Sequence, residues 1–198
     1  MAKRLSPSGE LLLKIAIVGQ SDSGKRDIIT HVANSYDQSA LRTISVSDAE
    51  IILAEFILPE PLSDGPFVRV ELYAVSGSPL HQAADQLVMS GCDALVFVVG
   101  CDPEKTSECK AALRSLTQNA ALTGLNLGEV VLVLQYNKAD GYPMTTMNDM
   151  DSLLGVNIDQ VERYHTKVKH PNEQGLAVDA AIRGAVANIG LPSAGKTA

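Results

Sequence analysis

The sequence predicts an α/β fold, a mostly parallel sheet with helices on both faces. Three observations carry this. The stretches Leu11–Val18, Ala94–Val99 and Glu129–Gln135 are dominated by apolar residues, as strands buried on both faces are. Segments with apolar residues at helical spacing stand between them. A glycine-rich loop follows the first run and leads into a helix, which is how a doubly wound sheet turns from strand to helix.

In chain order, the run Leu11–Val18 stops at Gly19, where a parallel strand enters its loop. Arg26–Ser35 carries Ile28, Ile29 and Val32 at helical spacing. Ile51–Leu58 and Phe67–Val75 are rich in β-formers, and Pro59-Glu-Pro-Leu-Ser-Asp-Gly-Pro66 between them has turn chemistry, so the pair reads as an antiparallel hairpin. Pro79 suits the first turn of a helix whose face is Leu80, Ala84, Leu87 and Val88. Ala94–Val99 is the central strand. Glu104–Ala121 follows as a helix with Cys109, Leu113, Leu116 and Ala120 on one stripe. The strand Glu129–Gln135 comes next, and a last helix, Glu173–Ile189, lines up Val178, Ile182, Val186 and Ile189. Residues 1–10 read as an N-terminal extension, 11–189 as one domain, and 190–198, small and polar, as a flexible tail.

Composition bounds the function. The 198 residues are 45% hydrophobic and 20% charged, ordinary for one globular domain with a sizeable core. A net charge of −7 argues against a broad nucleic-acid face or an anionic-membrane surface. Positive charge is local, at Lys25-Arg26 and from Lys167 to His170. The three cysteines (Cys92, Cys101, Cys109) form no CxxC pair, as expected of reduced thiols in a cytoplasmic protein. No apolar run reaches the roughly 20 residues of a membrane span, and Lys14 breaks Leu11-Leu12-Leu13 too soon for a signal peptide. His31, His81, His165 and His170 have no metal-ligand spacing, so no metal site is expected from them. Glu108 and Lys110 read as one solvated helix face.

Two stretches bear on chemistry. Gly19-Gln20-Ser21-Asp22-Ser23-Gly24-Lys25-Arg26 has phosphate-loop spacing, two glycines four residues apart and then a lysine. Its strand-to-helix context lets backbone N–H groups and the helix N-terminus converge on an anion, so Gly19, Ser21, Asp22, Ser23, Gly24, Lys25, Arg26 and Asp27 are the expected phosphate-binding residues. Ser21, Asp22 or Ser23 could instead cap a plain tight turn. The tail Gly190–Thr197 satisfies the full pattern, but it follows a helix and contains a proline, so it is a coincidental match. The second stretch is Gln135-Tyr136-Asn137-Lys138-Ala139-Asp140, an NKxD sequence at a strand's C-terminal end. An Asp140 carboxylate can accept from both N1–H and the 2-amino group of guanine, a pairing that adenine cannot offer. Asn137 can bind the base edge and brace the phosphate loop, with the Lys138 stem packed on the ring.

With these motifs the chain resembles the Ras-like small GTPases, and within them the bacterial MglA cell-polarity branch. Leu72-Tyr73-Ala74-Val75-Ser76-Gly77 is similar to that branch's LYTVPG, and Gln135–Asp140 to its QYNKxD. Gly91–Val99 resembles its fourth strand. The resemblance runs from about Leu11 to Ile189. It implies a six-stranded sheet with five helices, binding of GTP or GDP, two switch segments, and a roadblock-domain (MglB-like) regulator or other polarity proteins as partners. It adds Gly77 to the phosphate-binding residues and puts His165-Thr166-Lys167 where the family's base-contacting loop belongs, so that Thr166 and Lys167 join Asn137, Lys138 and Asp140 as guanine-binding residues.

The departures gather around Mg²⁺ and water. Arg26 stands where a Ser or Thr ligates Mg²⁺. Ala74 replaces the DxxG aspartate, as in MglA proteins, and Ser78 replaces the glutamine that orients water. Asp22 puts a carboxylate into the loop, opposed to phosphate unless a cation such as Arg26 or Arg42 pairs with it. By resemblance Arg42 is the candidate catalytic arginine of the first switch, and Thr43 and Ser45 are candidate γ-phosphate contacts. Arg26 is open to pointing into the phosphate site or folding onto Asp22 or Asp27. The leading expectation is a guanine-nucleotide-binding switch with little or no hydrolysis and doubtful Mg²⁺ dependence. The alternative is a pseudo-GTPase scaffold that binds no nucleotide and acts through protein–protein contacts, and an ATP-using enzyme is disfavoured by Asp140.

Overall fold

The computed structural model describes residues 5–37, 39–46, 49–62, 65–76, 82–138, 147–154, 161–167 and 171–190. The chain runs β1 (Leu11–Gly19), α1 (Lys25–Asn34), β2 (Ala40–Val46), β3 (Ala49–Ile57), β4 (Val68–Ser76), α2 (Gln82–Met89), β5 (Ala94–Gly100), α3 (Thr106–Thr123), β6 (Val131–Lys138), α4 (Met147–Leu154), β7 (Glu162–Lys167), α5 (Pro171–Gln174) and α6 (Leu176–Gly190). One sheet takes the order β2-β3-β4-β1-β5-β6-β7. Strands β4, β1, β5, β6 and β7 are parallel, while β3 is antiparallel to β4 and β2 to β3.

Alternation along β1 divides the core. Leu11, Leu13, Ile15 and Ile17 pack with Ile28, Ile29 and Val32 of α1 and with Val178 and Ile182 of α6 on one face. Ala16 and Val18 join Val88 and Met89 of α2 and Cys109, Leu116 and Ala120 of α3 on the other. Both faces are therefore covered, which is what allows β5 to be apolar throughout and β1 to be apolar but for Lys14. The end of α1 is pinned by Tyr36 stacked on Phe56 of β3, ring centres 4.1 Å apart. On β6, the Tyr136 hydroxyl donates to Asp151 of α4 at 2.6 Å, and the same buried carboxylate pairs with Arg163 of β7.

The α/β class, the buried strands and the early hairpin agree with the sequence reading, with the hairpin formed by β3 and β4. The strand count does not. The sheet has seven strands rather than six, because β2 and β7 carry few core side chains. β2 (ALRTISV) is exposed or half-exposed along its whole length, and β7 (ERYHTK) is polar and held by pairing with β6. His165 is accordingly in a strand, not a polar loop. The final helix is two pieces, α5 and α6, meeting at Gly175. Leu87 is 55% exposed, so the buried face of α2 is Ala84, Val88 and Met89. Pro79 and Leu80 lie outside the described residues.

Candidate functional site

β1 lies between β4 and β5, and the chain leaves β1 toward one edge and reaches the other from β5. This is the switch point of an open α/β sheet, where the loops at the carboxyl ends of neighbouring strands part and leave a crevice. The glycine-rich loop sits there. Gly19, at φ 138°, pairs with Val98, and a Cβ at Gly19 would come within 2.0 Å of the Val98 carbonyl oxygen, so only glycine allows this close approach. Asp22, at φ 54°, is the one described non-glycine residue with positive φ, and it is exposed. Gly24, at φ 88°, is the N-cap of α1 and has no side chain with which to close the helix end. The Ser23 hydroxyl donates to the Gln20 carbonyl at 2.8 Å. These are the turn and the helix N-terminus that an anion site requires.

Lys25 is buried, and its Nζ donates to the carbonyls of Gln20 (2.6 Å) and Gly19 (3.3 Å). Burial lowers its pKa, while the negative charges of Asp85 and Asp22 act to raise it. Arg26 reaches the β2–β3 hairpin: its guanidinium pairs with Glu50 at the start of β3, N to O 2.7 Å. The sequence left three placements open for Arg26, the phosphate site, Asp22 and Asp27; the ion pair with Glu50 is a fourth. Asp27 is exposed and lines the same cavity as Asp22.

The two motifs meet. Asn137 Nδ2 donates to the Ser23 carbonyl at 2.7 Å, both groups buried, across 114 residues of chain. A Cβ on Gly24 would lie 2.4 Å from that same nitrogen, so the loop and the β6 end are fitted to each other. Behind it, Gln135 Nε2 donates to Thr166 Oγ1 (3.0 Å), and that hydroxyl donates to Asn137 Oδ1 (3.2 Å). Thr166 is wholly buried, so its side chain braces Asn137 instead of offering a base contact. Lys138 and Lys167 are paired at the ends of β6 and β7, at the same edge of the sheet. Gly77, Ser78 and Asp140 lie outside the described residues. A cavity of about 310 Å³ lies between the loop and β6, lined by Ser21, Asp22, Ser23, Gly24, Asp27, Gly100, Cys101, Asp102, Lys105 and Asn137. A second, more apolar cavity of about 410 Å³ lies behind the loop, between α2 and α3, with Asp85 and Glu108 at its polar end.

Arg42 is not brought to the loop. It lies on β2 opposite Leu53 and pairs with Glu55, further from the loop end of the hairpin than Ser45, which faces Glu50. Thr43, opposite Ile52, is likewise on the exposed edge strand.

One contributor was missed. The Gln20 side chain is buried; its Oε1 accepts from the Gly100 N–H (3.0 Å) and the Cys109 thiol (3.2 Å), and its Nε2 donates to Glu108 (3.3 Å). Glu108 is thus tied to the loop rather than being only part of a solvated face. A polar residue directly after the first glycine, beside an apolar strand, was the available signal.

The phosphates of a nucleotide fit the donor set: an open helix N-terminus and a lysine beside it, with Asn137 braced against the loop. A Mg²⁺ ion does not fit equally well. Arg26, at the position where a Ser or Thr would ligate the ion, has no ligating oxygen. No helix among the described residues is long and apolar enough to cross a membrane.

No protein-family model matches the chain. Over 154 residues it is 28% identical to the mutual gliding-motility protein MglA of Myxococcus xanthus (strain DK1622), an alignment covering 74% of this chain and 77% of that protein. With the phosphate-type loop at the sheet's switch point and the strand end of β6 joined to it, the chain is similar to MglA, and its mostly parallel α/β sheet is consistent with that likeness.

Proposed function

We propose that the protein is a guanine-nucleotide-binding regulatory switch with little or no GTP hydrolysis. The observation that carries this is the Asn137–Ser23 hydrogen bond, which couples the strand end suited to reading guanine to the loop suited to phosphate. In this reading the loop from Gly19 to Asp27 holds the phosphates, Lys25 exchanging its bonds to the loop carbonyls for phosphate oxygens, and Gly77 approaches them. Asn137, Lys138, Asp140 and Lys167 surround the base. Phosphoryl transfer depends on positioning and charge neutralisation, and a well-placed arginine alone contributes roughly 10³–10⁵ in rate. Here Arg26 replaces a metal ligand, Ser78 replaces the water-orienting glutamine, and Arg42 is held by Glu55. Hydrolysis is therefore very slow while binding persists. The likeness to a gliding-motility protein supports a role in motility; a part in cell polarity and a roadblock-domain regulator as partner are proposed from the family resemblance alone.

A second reading has its own observation. Lys25 and Arg26 both have partners within the chain, so the loop is electrostatically satisfied without phosphate, as a nucleotide-free scaffold would be. Denaturing the purified protein and identifying any released nucleotide separates the two. Guanine nucleotide supports the switch. A protein that carries none, and takes up none on titration, supports the scaffold. Asp140→Asn should impair partner binding in the switch and leave it unchanged in the scaffold. Steady GTP turnover well above the free-nucleotide rate, abolished in Lys25→Ala, contradicts the loss of hydrolysis.

A further inference from the structure

We infer that Arg26 takes the place of the metal as the cation for a nucleoside di- or triphosphate, with Glu50 as its resident competitor, so that nucleotide binding needs no Mg²⁺. The inference rests on the nucleotide-binding reading above. Arg26 is the second residue of α1, next to Lys25 and two residues past the Gly24 N-cap, so its Cα is at the helix end where phosphate collects. An arginine there offers a permanent positive charge and a planar fork matched to phosphate oxygens. A magnesium ion beside it would face like charge and find no oxygen from this residue.

Glu50 explains why the arginine does not already fill the loop. It stands at the start of β3, opposite Ser76 at the end of β4 and Ser45 on β2, which is the edge of the sheet nearest the loop. The Arg26–Glu50 pair spans 2.7 Å with both side chains 52% exposed. An ion pair so open to water is weak. A polyphosphate carries more charge and accepts two parallel hydrogen bonds, so it draws the guanidinium away. The carboxylates of Asp22 and Asp27 face the same cavity and oppose the phosphates, which makes a mobile cation at Arg26 necessary where no metal supplies the charge. Binding then releases Glu50 near the turn end of the β2–β3 hairpin.

The test is titration of the full chain, stripped of nucleotide, with fluorescent GTP and GDP analogues in Mg²⁺ or in excess EDTA. The expected wild-type affinity changes by less than about threefold between the two. Arg26→Ser weakens GTP binding in EDTA by about 10- to 100-fold, the loss of one or two charge-assisted hydrogen bonds, and regains it with Mg²⁺ because it restores a hydroxyl ligand. Glu50→Gln, which removes the competitor from an exposed pair, tightens GTP binding by about two- to fivefold. Wild-type binding that collapses in EDTA overturns the inference and leaves the nucleotide reading standing. So does Arg26→Ser binding GTP as tightly as wild type in EDTA, or Glu50→Gln leaving the affinity unchanged. No binding of either nucleotide under either condition overturns both.

Discussion

Replacing Asn137 with alanine tests the junction on which the site depends. The substitution removes the 2.7 Å bond from Asn137 Nδ2 to the Ser23 carbonyl and the 3.2 Å bond that Oδ1 accepts from Thr166. Ser23 is 4% exposed and Thr166 0%, so both former partners are left short of a partner in the interior. Orphaning a buried polar group costs about 1–3 kcal/mol. Thr166 still accepts from Gln135, and the adjoining cavity can admit water to the Ser23 carbonyl. Both effects favour the lower end, about 2–3 kcal/mol in total. For a chain of this size that corresponds to a fall in melting temperature of about 4–12 °C. Urea denaturation followed by circular dichroism gives the stability, and calorimetric titration with GDP gives the affinity, which should fall by at least about tenfold because the loop loses its brace. Asn137→Asp keeps the shape but turns an acceptor toward the Ser23 carbonyl, and should be no milder. A cost below about 0.5 kcal/mol together with unchanged GDP affinity would refute the reasoning, since that is the range of a surface change.

Three further predictions follow from other contacts. Gly24→Ala combines a φ of 88° with a Cβ 2.4 Å from Asn137 Nδ2, whereas Gly124→Ala has a φ of 68° and open space; the second should cost only the left-handed backbone term, about 1–2 kcal/mol, and the first distinctly more in the same denaturation assay. Tyr136→Phe removes the 2.6 Å bond to buried Asp151 but leaves the Arg163 pair, costing about 1–1.5 kcal/mol, while Asp151→Ala strands Arg163 and should cost about 2–4 kcal/mol. The Glu10 carboxyl is held down to about 2 from an ordinary 4.5, mainly by the hydroxyl of Ser6, then by Ser8 and Arg69. A lowered acid pKa means stability that is complete above pH 4.5 and lost as pH falls toward 2. An acid titration of unfolding should therefore show a shallower decline in that window for Glu10→Gln than for wild type.

The parts of this molecule that could be read from its sequence are those whose side chains share one environment. β1 and β5 lie inside two covered faces and are apolar almost throughout, as is the first half of β6; α1 and α3 each bury one stripe. The loop was legible because its glycines answer to geometry, Gly19 to the Val98 carbonyl and Gly24 to Asn137. Asn137 was expected to brace the loop, and it does. What escaped was decided by partners distant in sequence. β2 is an exposed edge strand with no buried alternation, and β7 is a polar strand held by β6. Nothing near Arg26 in the chain points to Glu50, 24 residues on and brought beside it by the fold of β3 against β4. Thr166 looked like a base contact but is turned inward, because Asn137 and Gln135 need its hydroxyl. The Gln20 side chain, reaching Gly100, Cys109 and Glu108 across 80 residues or more, was equally invisible.

The most direct measurement is calorimetric titration of the nucleotide-stripped chain with GDP, GTP, ADP and ATP in turn. Saturable one-to-one binding of GDP and GTP, at least about a hundredfold tighter than either adenine nucleotide and reduced by Asp140→Asn, is what a guanine-specific site joined through Asn137 predicts. Equal affinity for adenine and guanine nucleotides, or no heat from any of the four, would contradict it.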